Sequence, residues 1–223
     1  MMHLHVTDST VADVYRGLLH ARCPPEEVLL DASPQVGLFA TPPPTAPSAF
    51  RAAAPRRWMK DWQRVASHRA PERYQLLYRL LWRAQSAPRL MDDPMDEAVR
   101  RFERLVTEVR RDVHKFHAYV RFRSVDDRWI AWHKPRHNTL RLAAPFFVDR
   151  FGQDMQFSLL TPEASAHWDG AQRGFSEGVP RSSAPAADEV EDLWRTYYQS
   201  TFNPARLNLR AMKAELPVPH WST

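Results

Sequence analysis

The sequence changes from a helical to a strand period near residue 116, and this change limits the fold. Over 96–115 apolar residues recur at steps of three and four, which predicts one long amphipathic helix. Apolar and polar residues then alternate over 117–123 and again over 128–133, on either side of Asp126 and Asp127. Such alternation predicts a β-hairpin. The chain therefore needs a fold in which helices pack on a sheet.

The other periodic segments extend this prediction. A strand at 2–6, a helix carrying Val11, Val14 and Leu18, and a strand at 28–30 open the chain. After the hairpin come a helix at 140–151 and strands at 156–160 and 165–168. The order strand, strand, helix, strand, strand predicts an antiparallel sheet flanked by helices, an α+β fold that is mostly helical. A capping box at Asp188 and Glu191 predicts a further helix.

Prolines divide the chain into three predicted parts. Residues 1–31 form a small strand and helix segment, and 32–55 contain six prolines with little periodic pattern. Such a stretch is typical of a linker or of an extended covering segment. Residues 56–223 then form the main α+β domain.

Positive charge is unevenly distributed. The net charge is +5 over 223 residues, and 27 of the 31 basic residues are arginine. Residues 1–50 hold two basic and five acidic side chains, whereas 51–82 hold eight basic and two acidic ones. Arginine suits the forked recognition of phosphate, which favours a nucleic-acid partner. The alternative, a compositional bias shared with the abundant alanine and proline, stays open.

Several classes of protein are not expected. The longest apolar run, 142–148, is too short to span a bilayer, so no membrane partner is expected. A single cysteine, Cys23, and no apparent leader favour a reducing cytoplasm. The six glycines form neither a dinucleotide-binding nor a P-loop motif. The histidine pairs 114/117 and 133/137 lack a recognised metal motif, so we expect no metal and no other cofactor.

Five residues are candidates for catalysis. Asp112, His114 and Lys115 offer a carboxylate, an imidazole and an amine at a predicted helix end. Lys115 stands out in an arginine-rich chain because lysine can attack a sugar carbon as an amine. His167 and Asp169 lie two apart at a predicted strand end. The alternatives are an ordinary helix end for the first group and a turn at Asp169 for the second.

A second set of residues is suited to binding nucleic acid. Arg100, Arg104 and Arg111 fall on one helix face, and Arg121 and Arg123 lie in the hairpin. Trp168 is suited to stacking on a base. Asn203 and Arg206 are suited to phosphate or base-edge contacts, although Asn203 before Pro204 is also typical of a helix N-cap.

From about residue 73 onward, eight motifs follow one another along two thirds of the chain. They are Leu77–Trp82, Arg110–Lys115, His117–Arg123, Ala144–Phe147, Leu160–Pro162, His167–Gly170, Leu193–Tyr198 and Phe202–Leu207. In this order they resemble a bacterial family of unknown function described as a probable DNA metabolism protein.

The resemblance implies a DNA-repair context and partners. Members of the family are encoded beside a putative DNA-repair radical-SAM protein, and some are fused to a uracil-DNA glycosylase domain. One hypothesis is a DNA-binding protein that acts on a damaged or modified base with glycosylase-like or lyase-like chemistry. The other is a non-catalytic adaptor that presents DNA to the radical-SAM protein or to the glycosylase domain.

Overall fold

The fold is described from a computed structural model, which covers residues 1–7, 9–32, 42–125 and 128–183. The chain divides into two compact units. The first unit comprises 1–119 and 135–146, and the second comprises 120–134 and 147–223. The predicted turn at Asp126 and Asp127 and the helix predicted from the capping box at Asp188 and Glu191 lie outside the described residues.

Five α-helices and seven strands occur in the described residues. The helices are α1 Val11–His20, α2 Arg56–Ser67, α3 Arg73–Ala84, α4 Glu97–Tyr119 and α5 Leu140–Phe151. The strands are β1 Met2–His5, β2 Val28–Asp31, β3 Arg123–Val125, β4 Arg128–Trp132, β5 Phe157–Leu160, β6 Ala164–Trp168 and β7 Arg173–Glu177. The mixed α+β class is confirmed. None of the described helices is long and apolar enough to cross a bilayer.

The first unit packs its helices around a core of leucine and aromatic side chains. Its most buried members include Leu18, Leu77, Leu80, Phe102 and Leu105. Two buried polar groups in this core are satisfied by backbone: the Tyr15 hydroxyl donates to the Tyr74 carbonyl (2.7 Å), and the Trp58 indole donates to Leu77 (3.3 Å). Because an unpaired buried polar group is costly, these bonds fix how α1 and α2 meet α3.

The described part of the proline-rich segment, 42–55, is held against the first unit. The Arg16 guanidinium donates to the Pro47 carbonyl (3.0 Å). The Gln85 side chain accepts from the Ala53 N–H (3.1 Å) and donates to the Ala53 carbonyl (2.7 Å). The sequence allows two alternatives for this segment, a linker or an extended covering segment. These contacts fit the covering segment.

Gly17 lies where α1 meets this covering segment, and this gives the first prediction. A Cβ added at Gly17 would collide with the Pro44 carbonyl. In a free helix alanine is favoured over glycine by about 1 kcal/mol. Here we expect Gly17→Ala to lower the free energy of unfolding by about 1–3 kcal/mol, because the backbone at Pro44 or in α1 must move to make room for the added methyl group. Urea denaturation measures the change.

Gly174 in β7 provides the matched control, because an added Cβ there meets nothing within 4 Å. Gly174→Ala should therefore leave stability unchanged or raise it slightly. A stabilising Gly17→Ala would mean that the covering segment does not lie against α1.

The long helix is confirmed, but its predicted end is wrong. α4 runs to Tyr119, so His117–Tyr119 are helical and the hairpin strand β3 begins only at Arg123. Phe116 and Val120 are both buried, and their spacing of four continues the helical pattern into the alternating run. Asp112, His114 and Lys115 consequently lie inside the helix rather than at its end.

The main sheet is mixed, so the prediction of an antiparallel sheet is wrong. Its strand order is β3-β4-β5-β6-β7. β4 and β5 pair in parallel, with Ile130 opposite Ser158, while the other neighbours pair antiparallel. The two-stranded sheet of β1 and β2 is also parallel. In both parallel pairs a helix lies between the strands in sequence, and such a crossover returns the chain in the same direction.

β7 lies within 171–187, a stretch whose glycine, serine and proline residues predict a loop, so that prediction is wrong for Arg173–Glu177. A tight turn joins it to β6: Asp169 Oδ1 accepts from the N–H groups of Ala171 (2.8 Å) and Gln172 (2.7 Å), and Gly170 has a φ of 98°. Aspartate followed by glycine is suited to such a turn. The turn alternative for Asp169 is thus confirmed.

Candidate functional site

The exposed face of α4 carries the three arginines that the sequence selects. Arg100, Arg104 and Arg111 are exposed, and together with Glu103, Thr107 and Glu108 they line one shallow depression. We call these three arginines the α4 basic stripe. Over eleven residues the stripe extends about 16 Å along the helix. Lys115 follows one turn after Arg111 and is half-buried.

The acidic neighbours of the stripe are already engaged. Glu103 pairs with Arg57. Glu108 Oε2 lies 3.0 Å from His68 Nε2, and this hydrogen bond holds the pKa of Glu108 below its ordinary value. Within the described ranges, none of the three guanidinium groups of the stripe has an ion-pair partner. The three arginines of the stripe thus form no ion pairs in the described residues, and they outnumber the two carboxylates beside them.

Other arginines of the first unit are used in ion pairs. The nearly buried Asp61 accepts from Arg64 (2.6 Å) and Arg110 (3.0 Å), which joins α2 to α4. Arg83 bonds Asp96 (2.6 Å) and lowers the pKa of that carboxyl, which also caps α4 by accepting from the Val99 N–H. These arginines therefore hold helices together through ion pairs, whereas the three arginines of the stripe form no such pairs in the described residues.

Asp112, the first predicted catalytic residue, is buried within a network of hydrogen bonds. Its Oδ1 accepts from the Arg136 N–H (3.1 Å), and its Oδ2 accepts from the His137 N–H (3.0 Å) and the Thr139 hydroxyl (3.0 Å). Both oxygens therefore hold the loop that leads into α5. These three hydrogen bonds explain why a carboxylate is buried at this position, and the explanation requires no catalytic role.

His114 and Lys115 have different surroundings from Asp112. His114 is exposed and Lys115 is half-buried, whereas Asp112 is closed off from solvent. The three residues thus share a helix segment, but the hydrogen bonds of the Asp112 carboxylate go to residues 136–139 rather than to His114 or Lys115. Their proposed catalytic roles stay predictions.

A cluster that the sequence missed lies beside the stripe. His68, Glu108 and His137 place their ligand-type atoms within 4.8 Å of one another, and the two imidazole rings stack at 3.9 Å. Burial, with the neighbouring His68, lowers the pKa of His137 to about 4. No motif in the sequence indicates this cluster, because its three residues come from separate parts of the sequence.

The hydrogen bonds of this cluster do not suit a metal ion. His68 Nδ1 accepts from the Ala70 N–H (2.8 Å), and His137 Nδ1 accepts from the Arg69 N–H (3.4 Å). An imidazole that binds a metal through Nε2 normally donates from Nδ1. Here backbone N–H groups donate to both Nδ1 atoms, so the cluster fits a hydrogen-bonded arrangement better than a metal site.

His167, in the second unit, contacts two serines rather than Asp169. His167 Nδ1 lies 2.9 Å from Ser158 Oγ on β5, and Nε2 lies 2.8 Å from Ser176 Oγ on β7. Asp169 is exposed, and the N–H groups of Gln172 and Ala171 lower the pKa of its carboxyl. The sequence did not indicate the serines because strand register brings them to the histidine.

The remaining predicted binding residues are placed as follows. The Trp168 indole donates to the Gly152 carbonyl (2.9 Å), which fixes the ring beside the end of α5. Arg121 is exposed, precedes β3 and donates to the Val120 carbonyl (2.9 Å). Arg123 lies in β3 opposite Ile130. Asn203 and Arg206 lie outside the described residues.

Comparison with known families gives one match. The family model "Domain of unknown function (DUF4130)" matches residues 71–223, more than half of the chain. The chain belongs to the DUF4130 family. No curated protein and no solved structure matches it. The DUF4130 region includes α3, α4 and the five-stranded sheet, so it contains both the α4 basic stripe and the Ser158, His167 and Ser176 contacts.

Proposed function

We propose that this DUF4130 protein binds nucleic acid through the α4 basic stripe. The observation that carries the proposal is that Arg100, Arg104 and Arg111 share one exposed helix face and form no ion pairs in the described residues. Three guanidinium groups spread over about 16 Å can each contact a phosphate of the nucleic-acid backbone. Positive side chains that bind phosphates release counterions, which provides affinity without a sequence preference.

The motif resemblance supports DNA as the bound nucleic acid, and bacterial DNA repair as the context in which it is bound. The same resemblance supports a partner that acts on the bound DNA, either a radical-SAM protein or a uracil-DNA glycosylase domain. The role of Asp112 in holding the loop before α5 favours binding over chemistry at this end of α4. Glycosylase-like or lyase-like action, with Lys115 as the amine, stays a prediction.

The test is a binding measurement on the triple variant Arg100→Ala, Arg104→Ala and Arg111→Ala. With a short labelled DNA duplex, we expect fluorescence anisotropy to show a loss of affinity on the order of 30-fold, because three phosphate contacts are removed. The slope of log affinity against log salt should flatten by up to about 2.7, since each contact contributes roughly 0.9.

A control with the same change of charge separates the stripe from net charge. Arg22, Arg51 and Arg79 are exposed and lie outside both α4 and the lining of the depression, and their triple alanine variant also loses three charges. We expect this control to weaken binding by less than about 3-fold. Equal losses in both variants, or no loss in the stripe variant, would contradict the proposal.

A further inference from the structure

The imidazole of His167 bridges two serines. Its Nδ1 lies 2.9 Å from Ser158 Oγ, and its Nε2 lies 2.8 Å from Ser176 Oγ. In the tautomer that carries the proton on Nε2, His167 donates to Ser176 and its Nδ1 accepts from the Ser158 hydroxyl. In this tautomer the imidazole is placed to take a proton from Ser158.

Ser158 and His167 also line a cavity that suits an anion. The cavity has a volume of about 190 Å³, and Arg128, Gln156 and Gln172 contribute to its lining. Arg128 is exposed, and in the described part of the chain its guanidinium has no ion pair.

Asp169 is the acidic group of this cavity. Two backbone N–H groups bond its Oδ1, which offsets part of its charge. The cavity thus offers one cation, amide donors and a serine hydroxyl, the groups that bind a phosphoryl group.

We propose that Ser158 is a nucleophile toward phosphate esters, with His167 as its general base. Arg128 binds the phosphoryl oxygens, and Ser176 is a positioning residue that holds the imidazole in the required tautomer. A nucleophile, a base bonded to it and a third group that orients the base form the arrangement expected of an activated serine. This activity is independent of nucleic-acid binding by the α4 basic stripe.

The reaction balances without another reagent except water. Ser158 Oγ forms a bond to phosphorus, and the bond from phosphorus to the leaving oxygen breaks. The Ser158 proton passes to His167 Nδ1 and then to the leaving oxygen, which departs as an alcohol. Water then attacks phosphorus while His167 takes its proton, the bond from phosphorus to Ser158 Oγ breaks, and His167 returns the proton to Ser158 Oγ. This releases inorganic phosphate or a phosphate monoester.

The first test is covalent labelling of the whole protein with diisopropyl fluorophosphate. Attack by Ser158 forms a bond from oxygen to phosphorus, displaces fluoride and leaves a mass adduct on that residue. Peptide mass spectrometry should find the adduct on Ser158 well before the exposed Ser86. Ser158→Ala should abolish this adduct, and His167→Gln should slow its formation on the order of 100-fold.

Positioning and folding have separate controls. Ser176→Ala should slow labelling by less than His167→Gln does, and Ser176→Thr should restore it, a rescue that a purely structural role does not predict. Ser165→Ala changes a buried serine on the same strand as His167 and should leave labelling intact. Unchanged circular dichroism shows that each variant remains folded.

The second test is hydrolysis of bis(p-nitrophenyl) phosphate, which should be lost in Ser158→Ala. The proposal would be overturned if Ser158 were labelled no faster than Ser86. It would also be overturned if Ser158 of the His167→Gln variant were labelled at the wild-type rate. Hydrolysis of p-nitrophenyl acetate but not of the phosphate would overturn the substrate class.

Discussion

Asp112→Ala is expected to lower the free energy of unfolding by about 3–5 kcal/mol, because it leaves two N–H groups and a hydroxyl without their acceptor. Two of these donors belong to His137 and Thr139, which are buried and out of reach of water. The loop before α5 would lose its attachment to α4. Urea denaturation followed by tryptophan fluorescence measures the change.

Two further variants show whether the loss comes from these bonds. Asp112→Asn keeps the shape and one acceptor oxygen, so it should cost roughly half as much. Glu103→Ala removes a half-exposed ion pair from the same helix and should cost less than about 1 kcal/mol. An Asp112→Ala protein as stable as wild type would contradict the role of this carboxylate in holding the loop.

The protein should lose stability as the pH falls from about 6.5 to about 4, and His137 should account for much of this loss. The folded-state pKa of His137 is about 4, below the ordinary histidine value of 6.5. Between these values the unfolded chain binds a proton that the folded chain does not, so acid favours unfolding. The loss from this residue is on the order of 3 kcal/mol across the window.

The groups that face His137 define the controls. His68 and Arg136 oppose its protonation, while Asp112 and Glu108 favour it, with burial the largest effect. His137→Gln should flatten stability against pH in this window, and His114→Gln, at an exposed position, should not. Part of the slope should remain because burial also lowers the pKa of His117. An unchanged slope in His137→Gln would show that the folded protein accepts the proton readily.

Below this window a carboxylate adds to the loss. The pKa of Glu108 lies below its ordinary value, so the stability it contributes is lost as the pH falls through that lowered value.

The sequence predicts helices better than strand direction, and the reason is physical. Apolar spacing along α4 reports the face that is buried, whatever that face contacts. Strand direction depends on the connection: α5 lies between β4 and β5 in sequence, and such a crossover makes neighbouring strands parallel. The helix between these two strands therefore indicates a mixed sheet. The order of strands and helices predicts an antiparallel sheet only if this connection is ignored. The predicted end of α4 was wrong because Val120 fits both periods: it alternates with Phe122 as in a strand, and it lies four residues after the buried Phe116 as in a helix.

Charged faces were also easier to predict than hydrogen-bond networks. The helical wheel places Arg100, Arg104 and Arg111 together, and the structure agrees. By contrast, Ser158 and Ser176 meet His167 only through the register of three strands, and no spacing in the sequence encodes it. Asp112 shows the same limit, since its partners lie 24 to 27 residues away across the hairpin.

The division of the chain has a consequence for its synthesis. The first unit takes residues 1–119 and then 135–146, so its sequence is interrupted by β3 and β4. A ribosome that has released α4 has not yet supplied the loop that Asp112 binds. During this interval water must solvate the carboxylate, and the first unit cannot complete its hydrogen bonds until residue 139 emerges. Translation therefore begins the second unit before the first can finish folding.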